Sequence, residues 1–99
     1  MGVEQIWNIV RQEFSNLGFT TIGNIEPQEE PVAFARGGTL LRNNAPVGGL
    51  RMNVEKGGEV TCTILGKEGR KSPQRTSDST QNAIKQAVAQ LVAECFPEG

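Results

Sequence analysis

The chain has no histidine, no tyrosine and a single aspartate, Asp78, within 99 residues. Each shortage removes a chemistry. Without imidazole there is no histidine acid or base and no nucleophilic triad that contains one. The two cysteines, Cys62 and Cys95, stand far apart in sequence with no histidine to join them, so they cannot supply the four ligands of a structural zinc. Two isolated cysteines fit a reducing compartment better than a disulfide framework, and both are expected as buried thiols. Long apolar runs are lacking too: no stretch approaches the roughly 18 residues of a membrane span, and no charged segment followed by an apolar run opens the chain. The expectation is a soluble intracellular protein, in cytoplasm or nucleus, with no membrane partner.

Aromatic residues are few, four Phe and one Trp, so aliphatic side chains and alanine have to fill the interior. An apolar content of 36% over this length suits one domain, residues 1–99, with one small core. Carboxylate pairs are poor candidates for hydrolysis. Glu26, Glu29 and Glu30 cluster, but Gln28 and two prolines among them suggest a solvated loop. Residues 66–71 carry Gly, Lys, Gly, Arg and Lys without the spacing of a phosphate-binding loop. The expectation is a protein that is not an enzyme and holds no cofactor or metal.

Charge is present but unevenly spread. Up to residue 30, Arg11 stands against Glu4, Glu13, Glu26, Glu29 and Glu30, a net of −4. Residues 31–77 carry Arg36, Arg42, Arg51, Lys56, Lys67, Arg70, Lys71 and Arg75 against Glu55, Glu59 and Glu68, a net of +5. The remainder, with Lys85 against Asp78, Glu94 and Glu98, returns to −2. An anionic partner would therefore be drawn to the middle of the chain, although cations on strands also keep a sheet and its edges soluble.

Periodicity places the elements. Val3, Ile6, Trp7, Val10, Phe14 and Leu17 recur at helical spacing and Gly18 can terminate them, which predicts a helix over about 3–17 with Trp7 in its apolar stripe. Residues 19–25 suggest an extended segment, and 26–31 an acidic loop. Two hairpins are expected: 32–36 and 39–42 around Gly37-Gly38, and 50–55 and 59–65 around Lys56-Gly57-Gly58, with 43–49 as the loop between them. In the second, Leu50, Met52, Val54, Val60, Cys62 and Ile64 alternate with polar residues, the pattern of a half-buried sheet. Ser77, Asp78 and Ser79 are competent helix caps before the apolar face of Ala83, Ile84, Ala87, Val88, Leu91, Val92, Cys95 and Phe96, which Pro97 ends. The fold class is α+β in two layers: a helix, an antiparallel sheet of three or more strands and a second helix, both helices on one face of the sheet.

Residues 66–76 form the candidate site. Lys67, Arg70, Lys71 and Arg75 face only Glu68 in charge, and the segment runs into the start of the last helix at Ser79. A basic loop beside the positive end of a helix dipole suits phosphate; the alternative is an ordinary solvated loop. Lys71-Ser72-Pro73-Gln74-Arg75 would also suit a proline-directed kinase, whose phosphate would cancel part of that charge.

In the order of its elements, and in the rhythm of Ser79, Ala83, Ala87 and Leu91, the chain resembles the double-stranded RNA-binding domain. That family has three strands between its two helices and opens the second helix with Ser and Lys. Here Thr80 and Gln81 stand where its lysines are expected, and its loop histidine has no counterpart. The resemblance implies the fold and the binding of double-stranded RNA or another nucleic acid through phosphate contacts. The other reading of the residues is a protein-interaction or homodimerisation module that uses an open strand edge or the helix face around Trp7 and Phe14.

Overall fold

The computed structural model describes residues 2–23, 33–65 and 74–97. Its order is α1 (Val3–Asn16), β1 (Phe19–Ile22), β2 (Ala33–Arg42), β3 (Ala45–Glu55), β4 (Val60–Leu65), β5 (Gln74–Ser77) and α2 (Gln81–Cys95). The five strands form one antiparallel meander in chain order, so β1 and β5 are its edges.

Period-two burial decides which face is covered. Leu50, Met52 and Val54 on β3, Val60, Cys62 and Ile64 on β4, and Leu40 on β2 are buried, whereas the residues between them are not fully so on β3 and β4. They join Ile6, Trp7, Val10 and Phe14 of α1 and Ile84, Val88 and Leu91 of α2 in one core, so both helices lie on the same face. The first helix packs beside β1 and the second beside β4 and β5, and the two touch each other. Burying each large aliphatic side chain contributes about 1.5–3 kcal/mol before entropy is counted.

The helix ends follow local chemistry. Gly18, at φ 91°, ends α1 as a left-handed terminator, and the N–H of Leu17 returns to Phe14. The cap of α2 is Thr80 rather than Ser77, Asp78 or Ser79: its hydroxyl accepts from the Ala83 N–H at 3.3 Å. Asp78 instead accepts from the Thr80 N–H at 2.8 Å and the Thr80 hydroxyl at 2.6 Å, holding the cap in place.

The first expected hairpin is displaced. Gly37-Gly38 lies inside β2, and residues 43–49 are not a loop: the chain turns at Asn43 and Asn44, both at positive φ, and re-enters the sheet at Ala45. Asparagine tolerates the left-handed region, so two of them can do what a glycine pair does. Pro46 fits in β3 because a register shift between Leu40 and Leu41 falls opposite it. Glycine is required at 38 for another reason: a Cβ there would stand 2.7 Å from the Ile22 carbonyl oxygen and 3.0 Å from Thr21 Cγ2. The second hairpin falls where the sequence places it, with β3 ending at Glu55 and β4 starting at Val60.

One end of the core is closed by rings. Phe14 meets Phe19 edge-on at 6.3 Å between centroids, and Phe19 lies 4.8 Å from Phe96, just past α2. The Arg42 guanidinium lies over both Phe19 and Phe96, 5.5 and 5.2 Å from their centroids. Cys62 is buried and Cys95 only half-buried, and the two are not joined in a disulfide.

Candidate functional site

Of the residues expected to meet phosphate, Lys67, Arg70 and Lys71 lie outside the described residues, as does Ser72. Arg75 and Ser79 are described and do not share one loop. Arg75 belongs to β5, opposite Cys62 in register, on the helix side of the sheet. There its guanidinium pairs with Glu94 of α2 at 2.5 Å and donates to the Gln74 carbonyl at 2.9 Å. It ties the edge strand to the helix. Ser79 is half-buried one residue before the cap.

The start of α2 is not an empty cationic pole. Asp78 stands beside it, its carboxyl held below the usual range by the Thr80 hydroxyl and N–H hydrogen bonds. Glu13 of α1, only 5% exposed, lines one cleft with Gln81 and Asn82, the first residues of α2, and with Asn16 and Lys85. Asn16 Nδ2 is 3.4 Å from Glu13 Oε1. Two carboxylates thus already answer the positive end of the helix. Glu13 stands three residues after Val10, seven after Ile6 and four before Leu17, so helical spacing borders it on the apolar stripe, and only its polarity hid its burial in the sequence.

Other cations are engaged within the chain as well. Arg36, on the helix side of β2, pairs with Glu4 of α1 at 2.6 Å, and Arg42 is seated on the two rings. Arg51 lies on the opposite side and donates through Nε to Asn53 Oδ1 at 3.3 Å. Among the described residues no group of three or more His, Cys, Asp or Glu side chains could hold a metal ion.

The outward face of the sheet is covered by no described element. Register places Thr20 and Ile22 of β1, Ala35, Gly37, Thr39 and Leu41 of β2, and Gly49, Arg51, Asn53 and Glu55 of β3 on it. Thr61, Thr63 and Leu65 of β4 and Gln74 and Thr76 of β5 complete it. Thr61 and Thr76 share a hydroxyl hydrogen bond of 2.9 Å across β4 and β5. Among the described residues the surface is low, carries one cation, Arg51, and one anion, Glu55, and presents no aromatic ring. The exposed large apolar side chains include Ile22, on this face at 51% exposure, and Phe34, at the far end of β2 at 67%.

A second feature adjoins β1. Asn8, Arg11, Gln12 and Ser15 of α1, spaced three and four residues apart, line an open groove of about 360 Å³ with Thr20 and Thr21. Arg11 Nη2 donates to the Thr21 carbonyl at 3.3 Å. The sign in sequence was the polar stripe of α1, but which strand it would meet depends on the fold.

No family model, curated protein or solved structure matches this chain. Among the described residues the sheet between the helices has five strands. No described helix is long and apolar enough to cross a membrane.

Proposed function

We propose that this domain is a non-catalytic module that docks another protein. The observation that carries the reading is the outward face of the sheet, which no described element covers: it is low and mostly uncharged, with Thr20, Ile22, Thr39 and Thr76 exposed on it, although Ala35 and Gly37 at its middle are buried. Such a face lacks the rings on which single-stranded bases stack. It also lacks the row of free cations that tracks a phosphate backbone. The cations on the helix side of the sheet, Arg75 and Arg36, are held by Glu94 and Glu4. A flat protein surface, by contrast, can lie directly on short side chains, and threonine hydroxyls can pair with its polar rim.

Binding of double-stranded RNA is the second reading, supported by the sequence charge of Lys67, Arg70 and Lys71. Fluorescence anisotropy with labelled duplex RNA separates the two. Protein docking predicts no saturable binding at low salt, and no change when the three cations are replaced by glutamate. Binding that weakens steeply with salt and is lost in that variant would establish phosphate contact and remove the proposal.

A further inference from the structure

The outward face is small for the task assigned to it. Five strands about 4.8 Å apart, averaging about seven residues at about 3.4 Å each, give roughly 570 Å², below the roughly 800 Å² per partner of a stable interface. A partner needs more surface than the face offers, and the groove beside β1 supplies it.

Among the described residues no strand pairs with the outer edge of β1. Ile22 and Thr39 are register partners, and the Ile22 carbonyl oxygen lies toward β2, 2.7 Å from the place of a Gly38 Cβ. Backbone groups alternate in direction along a strand, so the Thr21 carbonyl and N–H point away from β2. The bond from Arg11 to the Thr21 carbonyl agrees with this direction. β1 is therefore an edge strand with backbone groups presented to the groove.

The groove is also rich in donors. Its lining holds the Arg11 guanidinium, the Asn8 and Gln12 amides and the hydroxyls of Ser15, Thr20 and Thr21, with no carboxylate among them. Arg11 pairs with no carboxylate among the described residues; its one described hydrogen bond is the long one to Thr21. Gln12 is committed to Asn16 at 3.0 Å. Thr21 carries a buried hydroxyl with no hydrogen-bond partner among the described residues, an arrangement that costs about 1–3 kcal/mol unless something completes it.

Resting on the protein-docking reading, we propose that the partner contributes an extended acidic segment that adds to β1 as a sixth strand in the groove against α1. Its backbone pairs with Thr21, and an acidic side chain takes the Arg11 guanidinium. In the free protein Arg11 guards the edge by occupying the Thr21 carbonyl, which discourages indiscriminate strand pairing. On docking it leaves that carbonyl for a carboxylate, a stronger charge-assisted partner. A basic or neutral strand would displace Arg11 without that return, so the guard doubles as the selector.

The test uses the whole chain, labelled with ¹⁵N, and an acetylated, amidated peptide of about eight alternating glutamate and threonine residues. A lysine–threonine peptide is the control. The acidic peptide should shift the amides of Thr20, Thr21 and the Asn8 to Ser15 stretch, and the lysine peptide should not. Arg11→Glu should weaken binding at least tenfold with an unchanged circular dichroism spectrum. A probe with single amides replaced by esters should lose affinity at the position that pairs with Thr21, a measurement that leaves the protein untouched. Shifts that are absent, that survive Arg11→Glu or that occur equally with the lysine peptide overturn the proposal. Shifts confined to Thr39, Thr63 and Leu65 overturn the groove but leave docking on the sheet intact, whereas duplex RNA binding in place of peptide binding removes both. Concentration-dependent β1 shifts without peptide would give the groove to a second copy of this chain and equally overturn it.

Discussion

The two faces of one sheet are made by the same five strands and have almost nothing else in common. Toward the helices, β3 and β4 present Leu50, Met52, Val54, Val60, Cys62 and Ile64, all buried. One residue along, the same strands present Arg51, Asn53, Thr61 and Thr63, none fully buried. The inner face is fixed by volume and the outer by what remains soluble on an open sheet. The difference teaches where freedom lies: changes on the inner face are charged to stability, while those on the outer face are left for recognition.

The contrast is broken most directly by removing inner-face volume. Leu50→Ala, at a side chain with no exposure, should cost about 2–5 kcal/mol, read as a fall in the urea midpoint. Adding volume where none exists comes next. Gly38→Ala places a Cβ 2.7 Å from a backbone carbonyl oxygen that belongs to the neighbouring strand, and should cost about 1–3 kcal/mol. Gly57→Ala is its control, because a Cβ at Gly57 meets nothing within 4 Å and should leave the midpoint nearly unchanged.

A third experiment uses proton chemistry. Burial pushes the Cys62 thiol from 9.0 up to about 12, so the neutral form is the one the fold accepts. Below pH 9 both folded and unfolded chains hold this proton. Above it the unfolded chain releases the proton first, so stability falls with rising pH until the folded pKa is passed. At pH 10 the loss is about 1.4 kcal/mol, visible as the difference between the pH 8 and pH 10 urea curves of the native chain and absent from Cys62→Val. The smallest effect belongs to the outer face: Thr63→Ala should change stability by no more than about 0.5 kcal/mol. A loss above 1 kcal/mol there would mean that the two faces are not divided as described.

Much of this was legible before any coordinates. Strict alternation located β3 and β4, helical spacing located α1 and α2, and their common polarity put both helices on one side. The glycine pairs show why the rest was not. Gly37-Gly38 and Gly57-Gly58 look alike in sequence, yet only the second sits at a turn. Gly38 of the first answers the approach of Ile22 on β1, 16 residues earlier in the chain, and the real turn was carried by Asn43 and Asn44. Long-range crowding has no local signature. The same is true of the candidate site: the charge of Arg75 was plain, but its pairing with Glu94 depends on β5 lying beneath α2. Arg11 stood out least in sequence because it is the single cation in an acidic segment, and that isolation leaves it facing a groove with no carboxylate.

The ring cluster of Phe14, Phe19 and Phe96 with Arg42 joins residues from α1, β1, the end of β2 and the end of α2. Its members are contributed at widely separated times during synthesis. A nascent chain that has emerged only as far as β5 carries Phe19 and the β2 end without the ring that covers them, and the core faces of β4 and β5 without their helix. A chain ending at Ser77 would leave those inner faces without α2, and is expected not to hold a stable sheet. The rings thus tie the sheet to a helix that follows it in the chain, and the apolar inner face is fully covered only once α2 docks.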